Sequence, residues 1–335
     1  MHRQQFTANP SPYGIAYAFQ ESKNRGMRVL DHSGGQLGFS SYLFLVPELN
    51  LGVFISQNVR ENSFRWAVAH SIMETFIPEF AYPDLQLEPA NALDTRPYAG
   101  VYRNTGYTHH TFEKMAYVLG FIGSDLSIQS AGSGAILIND QRYVLNNKGL
   151  FVHTRYGFVA RNFLKDQNEK VAHHTYGKDV FERISWWERK EILQFILALS
   201  MALSLWHVTI WPWLIRQRIR KGIMASSRGR KFWRRLIYTA SGLWFITFVL
   251  FFAVTSLLME RPVQFDYGAT LEMKVALGVL LFAIISVLAI PTATILAWSK
   301  GWWSIPNRIG LTIYSLFLFG AIAVLGYMNM IGFQY

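Results

Sequence analysis

Four stretches without Asp, Glu, Lys or Arg follow one another toward the C-terminus, at residues 192–215, 236–259, 275–298 and 309–331. Each has 23 or 24 residues, and about 20 predominantly apolar residues are enough to cross a bilayer as a helix. A core helix of that length in a soluble domain shows a polar face, and none of these does. The pattern predicts an all-α domain of four transmembrane helices over residues 190–331. Pro212 and Pro291 fall inside it, where neighbouring helices can satisfy the carbonyls that a proline frees.

The connecting loops carry the orientation, because Lys and Arg are retained on the cytoplasmic side. Residues 216–235 hold nine Lys/Arg and no acid. Residues 260–274 hold Glu260, Asp266 and Glu272 against Arg261 and Lys274, and residues 299–308 hold only Lys300 and Arg308. The first and third loops are therefore expected inside, with residues 1–185 and 332–335 outside. This arrangement is that of a multi-pass protein of a bacterial cytoplasmic (inner) membrane with a periplasmic or exterior domain. Trp186 and Trp187 fit an outer aromatic belt, and Trp211, Trp213, Trp233, Trp298, Trp302 and Trp303 an inner one. The basic loop reads first as a topology determinant, and secondarily as a surface for anionic lipid headgroups. His207 is the one ionisable side chain well inside a span. With no charged partner in any span, it does not make an ion pathway.

Composition supports the same division. Charged residues are 16% of the chain, against about 25% in an ordinary soluble domain. The net charge is +11, yet residues 1–189 are nearly neutral, while residues 190–335 hold 14 Lys/Arg against 4 Asp/Glu. Positive charge concentrated in the most apolar region points to the bilayer as partner, not to nucleic acid. The absence of cysteine excludes disulfides, thiolate metal sites and a Cys nucleophile. The adjacent pairs His109-His110 and His173-His174 would point to opposite faces of a strand, so neither makes a ligand set. No metal or cofactor is expected.

Ahead of the membrane half, SSYLFLV and LGVFISQ are separated by a Pro/Asn turn at residues 47–50, which reads as a hairpin. With the preceding YGIAYAF segment and residues 28–31, three antiparallel strands are expected. Residues 62–77 then place Phe64, Ala67, Val68, Ser71, Ile72, Thr75 and Phe76 on one helical face, capped by Asn62 or Ser63. Residues 80–97 carry three prolines and read as a linker. Residues 98–185 alternate and turn every 8 to 12 residues or so, as in an all-β barrel or sandwich. GVYRN, TFEKMAYVLG, SDLSIQ, GAILIND and QRYVLNN are its first β-like segments. Its aromatics, Tyr98, Tyr102, Tyr107, Tyr117, Tyr143, Phe151, Tyr156 and Phe158, read as packing, with a ligand pocket as the alternative.

YGIAYAF, then HSGGQLGFSSYLFLVPELNLGVFISQN, then an amphipathic helix resemble the C-terminal end of the serine beta-lactamase and penicillin-binding-protein-like hydrolases. His32-Ser33-Gly34 is similar to their third motif, K-T-G or H-x-G. The resemblance covers residues 10–78, so residues 1–79 read as part of an α+β beta-lactamase-like domain with a sheet and a packed helix. More loosely, the segment opening YAGVYRN is similar to the small barrels that often follow it. In that family a serine activated by a lysine one turn later forms an acyl-enzyme, and the third motif supplies the opposite wall. The resemblance implies that the Gly35 N–H donates to the developing oxyanion, that Ser33 hydrogen-bonds substrate, and that His32 adds a polar or cationic group. Gly34 lets the backbone approach. The implied activity is amide or ester hydrolysis, on peptide, ester or peptidoglycan-like substrates.

The chain departs from that pattern in one decisive respect. It contains no S-x-x-K, and no Y-x-N element precedes His32. Tyr102-Arg103-Asn104 has the letters but follows the third motif. No secretory signal precedes His32 either, although an exterior domain needs an export route. The expectation is a C-terminal portion of a longer hydrolase, inactive alone, with part of its sheet face uncovered. The alternative is a non-catalytic exterior ligand-binding or regulatory membrane protein.

Overall fold

The computed structural model describes residues 1–7, 14–24, 26–36, 38–59, 63–77, 93–146, 149–154, 160–176, 178–221, 227–259, 269–332 and 334. Two compact units result, residues 1–107 with 123–185, and residues 108–122 with 186–335.

The first unit opens with a four-stranded antiparallel sheet in the order β1-β2-β3-β4, from Gln20–Asn24, Met27–Gln36, Phe39–Val46 and Leu51–Gln57. One strand more than expected appears, because YGIAYAF contributes only an isolated bridge at Ile15 and the edge strand starts after it. The Pro47–Leu49 turn is a single 3-10 turn closed by Asn50 at φ 50°, a left-handed conformation that Asn tolerates. It pairs Val46 with Leu51 and sets the β3/β4 register. Period-two alternation then puts Tyr42, Phe44 and Val46 on one face.

That face packs against α1, Ser63–Phe76. The buried stripe is Arg65, Ala69, Met73 and the following Ile77, spaced four apart as a helix face requires. This corrects the face expected from sequence. Phe64, Ala67, Ser71, Thr75 and Phe76 are exposed, and only Val68 and Ile72 of that set are half-buried. Asn62, one of the two proposed caps, lies outside the described residues, and Ser63 is the first helical residue. Phe39, Phe54, Phe64, Trp66 and Phe76 all stand more than two-fifths exposed. Of the expected linker, residues 80–92 lie outside the described residues, while Thr95 donates to the Gly132 carbonyl at 2.9 Å.

Strands β5 to β12 close into an eight-stranded barrel in the order β10-β11-β12-β5-β6-β7-β8-β9. They run Gly100–Asn104, Leu126–Ser130, Ala135–Ile138, Gln141–Leu145, Phe151–His153, Ala160–Lys165, Val171–Tyr176 and Asp179–Ile184. Asn139 and Asp140 both take positive φ between β7 and β8, the two-residue turn that matches strand twist. Eight strands leave an interior that side chains can fill. Tyr102, Ile128, Ile136, Tyr143, Phe151, Val171 and Phe181 fill it, with Tyr98 and Phe163 packed against them. Tyr156 and Phe158 lie outside the described residues.

In the second unit TFEKMAYVLG forms a short helix, α2, Lys114–Val118, which corrects its reading as a β-like segment. Phe112, Met115 and Val118 recur every third residue and bury in the apolar core of the long helices, so the period is helical. The Asn329 Nδ2 donates to the His109 carbonyl at 2.7 Å, and the Gln194 Nε2 to the Leu119 carbonyl at 2.9 Å.

Among the described residues four helices are long and apolar enough to cross a membrane: Lys190–Arg220, Arg228–Leu257, Leu271–Ser299 and Ile305–Tyr327. The first is α3 and runs unbroken through Pro212, and the second lies within α4, Arg228–Met259. The third divides at Leu288 into α5, Leu271–Val287, and α6, Ala289–Ser299. Pro291 lies in the first turn of α6, where its missing N–H costs nothing. The fourth, α7, ends at Tyr327, four residues before the span read from sequence. Trp211 and Trp303 do not join an interfacial belt. They are buried with ring centroids 5.8 Å apart, whereas Trp213 and Trp298 are exposed.

Candidate functional site

His32, Ser33, Gly34 and Gly35 lie on β2, opposite Leu43, Tyr42, Ser41 and Ser40 of β3. The other neighbour, β1, pairs with β2 only from Met27 to Asp31. Among the described residues no strand covers the outer edge of residues 32–36, so that edge presents backbone groups outward. His32, Ser33 and Gly35 are exposed and Gly34 is half-buried.

The two glycines do different work. A Cβ on Gly34 would stand 2.6 Å from the Ser41 Oγ, whereas one on Gly35 would meet nothing within 4 Å. Close strand approach therefore keeps position 34 small. Space is left in front of Gly35. Behind the motif, Arg65 of α1 is 5% exposed. Its Nη1 donates to the Gly34 carbonyl at 2.9 Å and also to the Ser41 carbonyl. A buried cation bound to two carbonyls ties the helix to the β2/β3 pair at the position of the motif. Sequence reasoning missed Arg65, although the i, i+4 spacing of residues 65, 69, 73 and 77 was visible.

Asp31 precedes the motif, and burial pushes its carboxyl up from the usual range, against the opposing pull of the Ser22 hydroxyl and the charges of His32 and Lys178. Ser22 Oγ donates to Asp31 Oδ2 at 3.3 Å. Burial and the Asp31 charge raise the Tyr42 phenol as well. Ser40 is buried, with its Oγ donating to the Val59 carbonyl at 3.0 Å and accepting from Gln57 Nε2 at 2.8 Å. The Ser33 side chain is exposed. A cleft of about 260 Å³ between β1 and α1, lined by Ser22, Tyr42, Trp66 and His70, includes none of the four motif residues.

Elsewhere the histidines separate. His174 is fully buried in the barrel with its ring stacked on Phe181 at 4.5 Å, while His173 is half-buried. His207 Nδ1 donates to the Leu203 carbonyl at 2.7 Å, and the ring stacks on Tyr314 at 4.4 Å.

No family model and no curated protein matches the chain. Among solved structures it is similar to SurE crystallised with D-Leu, with a TM-score of 0.31 and 16% identity over 51% of this chain and 39% of that one. It is also similar to an octameric penicillin-binding protein homologue from Pyrococcus abyssi, with a TM-score of 0.18 and 15% identity over 51% and 37% of the two chains. The chain thus spans under two-fifths of the length of either structure. Likeness at this level establishes neither fold nor site.

Proposed function

We propose that the chain is the membrane-anchored part of a beta-lactamase-related serine hydrolase, in which β2 forms one wall of an acyl-transfer site. The observation that carries this reading is the outer edge of β2, left without a paired strand from residue 32 onward among the described residues. The residues that resemble the family's third motif stand exposed along it. In this reading a substrate carbonyl lies against the edge, the Gly35 N–H donates to the developing oxyanion, Ser33 holds a polar substrate group, and His32 supports proton transfer. Arg65 acts through the Gly34 carbonyl as a positioning residue. The nucleophile and its lysine come from outside these 335 residues, since no S-x-x-K occurs within them. The same lack favours a second reading, an exterior ligand-binding or regulatory protein without catalysis.

The substrate class is an amide or ester of a peptide or peptidoglycan-like compound. The membrane is the bacterial inner membrane, with residues 1–185 on its periplasmic side. The chain has no cysteine, so sidedness is read from single replacements. In intact cells an impermeant maleimide should label Ser33→Cys, and should label Ser227→Cys only after permeabilisation. The reverse pattern overturns the orientation. For catalysis, the same sheet carried in a polypeptide with an S-x-x-K helix should hydrolyse a p-nitrophenyl ester. Replacement of His32 by Ala should lower turnover without altering protease resistance, and unchanged turnover removes His32 from the site.

A further inference from the structure

Where the basic end of α3 meets the start of α4, a cleft of about 420 Å³ is lined by Arg216, Arg234, Arg235 and Tyr238 over an apolar floor that includes Val208 and Pro212. Arg234 and Tyr238 are four apart on one helix and so share a face. Arg216 faces them from the other helix. Arg216 and Arg234 both lie close enough to the Tyr238 phenol to interact with it electrostatically.

The three arginines differ from their neighbours in what they bind. Arg218 donates to the Ser304 Oγ, Arg230 to the Ser227 Oγ, and Arg308 to the Trp302 carbonyl. The guanidinium groups of Arg216, Arg234 and Arg235 make no hydrogen bond or ion pair among the described residues, and residues 216–235 contain no acid that could neutralise them. Setting topology requires positive charge anywhere in the loop. It does not require three guanidiniums gathered at one cleft.

We propose that this cleft binds an anionic phospholipid, with its phosphodiester held by Arg216, Arg234, Arg235 and the Tyr238 hydroxyl. The guanidinium fork matches phosphate oxygens, and basic pockets between membrane helices are suited to lipid headgroups. The floor decides between a lipid and a soluble anion. Val208, two turns before Arg216 toward the middle of the span, is 39% exposed on a helix apolar enough to cross a bilayer, so the cleft continues into the surface that acyl chains cover. A headgroup at the arginines leaves its chains along that surface.

The test uses the full chain in neutral detergent, titrated with dioleoylphosphatidylglycerol and, separately, dioleoylphosphatidylcholine, with bound lipid counted by native mass spectrometry. The phosphatidylglycerol should bind about ten-fold more tightly. Replacing Arg216, Arg234 and Arg235 together by Gln should remove most of that preference. Replacing Arg218, Arg220 and Arg230 together by Gln, an equal loss of charge from the same region, should change it less than about two-fold. A Val208→Trp variant fills the floor without touching a charge and should weaken binding too. Equal losses in the two triple variants would show diffuse attraction and overturn the site. Competition by tail-free glycerophosphoglycerol at similar concentration would assign the cleft to a soluble phosphate and overturn the lipid.

Discussion

Acidification should loosen the barrel through one side chain. His174 on β11 has neither ring nitrogen hydrogen-bonded among the described residues, and it is enclosed by Phe181, Phe163 and Tyr102. Burial, with the nearby Arg161 charge, pushes its pKa down to about 3. An unfolded histidine titrates near 6.5. The folded value is the depressed one, so the unfolded chain binds the extra proton and stability falls as pH drops from about 6.5 toward about 3. Each unit in that window costs about 1.4 kcal/mol, so the barrel should lose about 2 kcal/mol between pH 7 and pH 5. The assay is hydrogen exchange of peptides from β11 and β12 in the full chain, with intrinsic rates corrected for pH, which returns the local opening free energy. His174→Phe keeps an aromatic ring in the stack and should abolish the dependence between pH 7 and 5. An equal fall in wild type and variant would refute the reasoning, because the proton would then be binding elsewhere.

Three further outcomes follow from contacts. Gly34→Ala should destabilise the sheet by about 1 to 2 kcal/mol, the usual cost of a forced contact, and Ser41→Ala should restore it by removing the Oγ that stands 2.6 Å from the new Cβ; absence of rescue in urea titration would show that the clash lies elsewhere. Asp31→Asn should stabilise the sheet at neutral pH, because a raised folded pKa means that ionisation opposes folding, and the gain should fade as pH falls through that pKa; a gain that persists in acid would contradict the sign. Tyr314→Phe removes the hydroxyl that meets Ser204 Oγ at 2.7 Å and donates to Ser241 Oγ at 3.0 Å. At about 0.6 kcal/mol for each interhelical bond in a membrane, denaturation in mixed micelles should register a loss of about 1 kcal/mol, and no loss would show that the pair is satisfied equally well in the unfolded state.

The large features were legible because they rest on long, repeated signals. Length and absence of charge marked the four spans, the Pro47–Leu49 turn marked the hairpin, and recurring turn residues marked the barrel. Features that depend on which partner a side chain meets were not. Phe64 and Phe76 made the wrong face of α1 look apolar, while the true face begins with Arg65, whose cost of burial is met by two carbonyls that only the folded sheet supplies. Trp211 and Trp303 read as interfacial by position in the sequence, yet rotation about the axis of α3 turns Trp211 inward, and Trp303 folds in from the turn between α6 and α7. Residues 111–120 sit among strands in sequence, and their helical spacing becomes meaningful only beside the apolar core that α2 enters. At the candidate site the identities of His32, Ser33, Gly34 and Gly35 were readable. The uncovered edge was not, because it depends on where the β1 pairing stops.

The central claim is that β2 offers a wall without a nucleophile, and fluorophosphonate labelling tests it most directly. The purified 335-residue chain should remain unlabelled, because Ser33 has no lysine one helical turn away and Ser40 is buried and hydrogen-bonded. A longer polypeptide that brings an S-x-x-K helix to the same sheet should be labelled at that serine, more slowly when His32 is replaced by Ala. Stoichiometric labelling of the 335-residue chain at Ser33 or Ser40 would contradict the account.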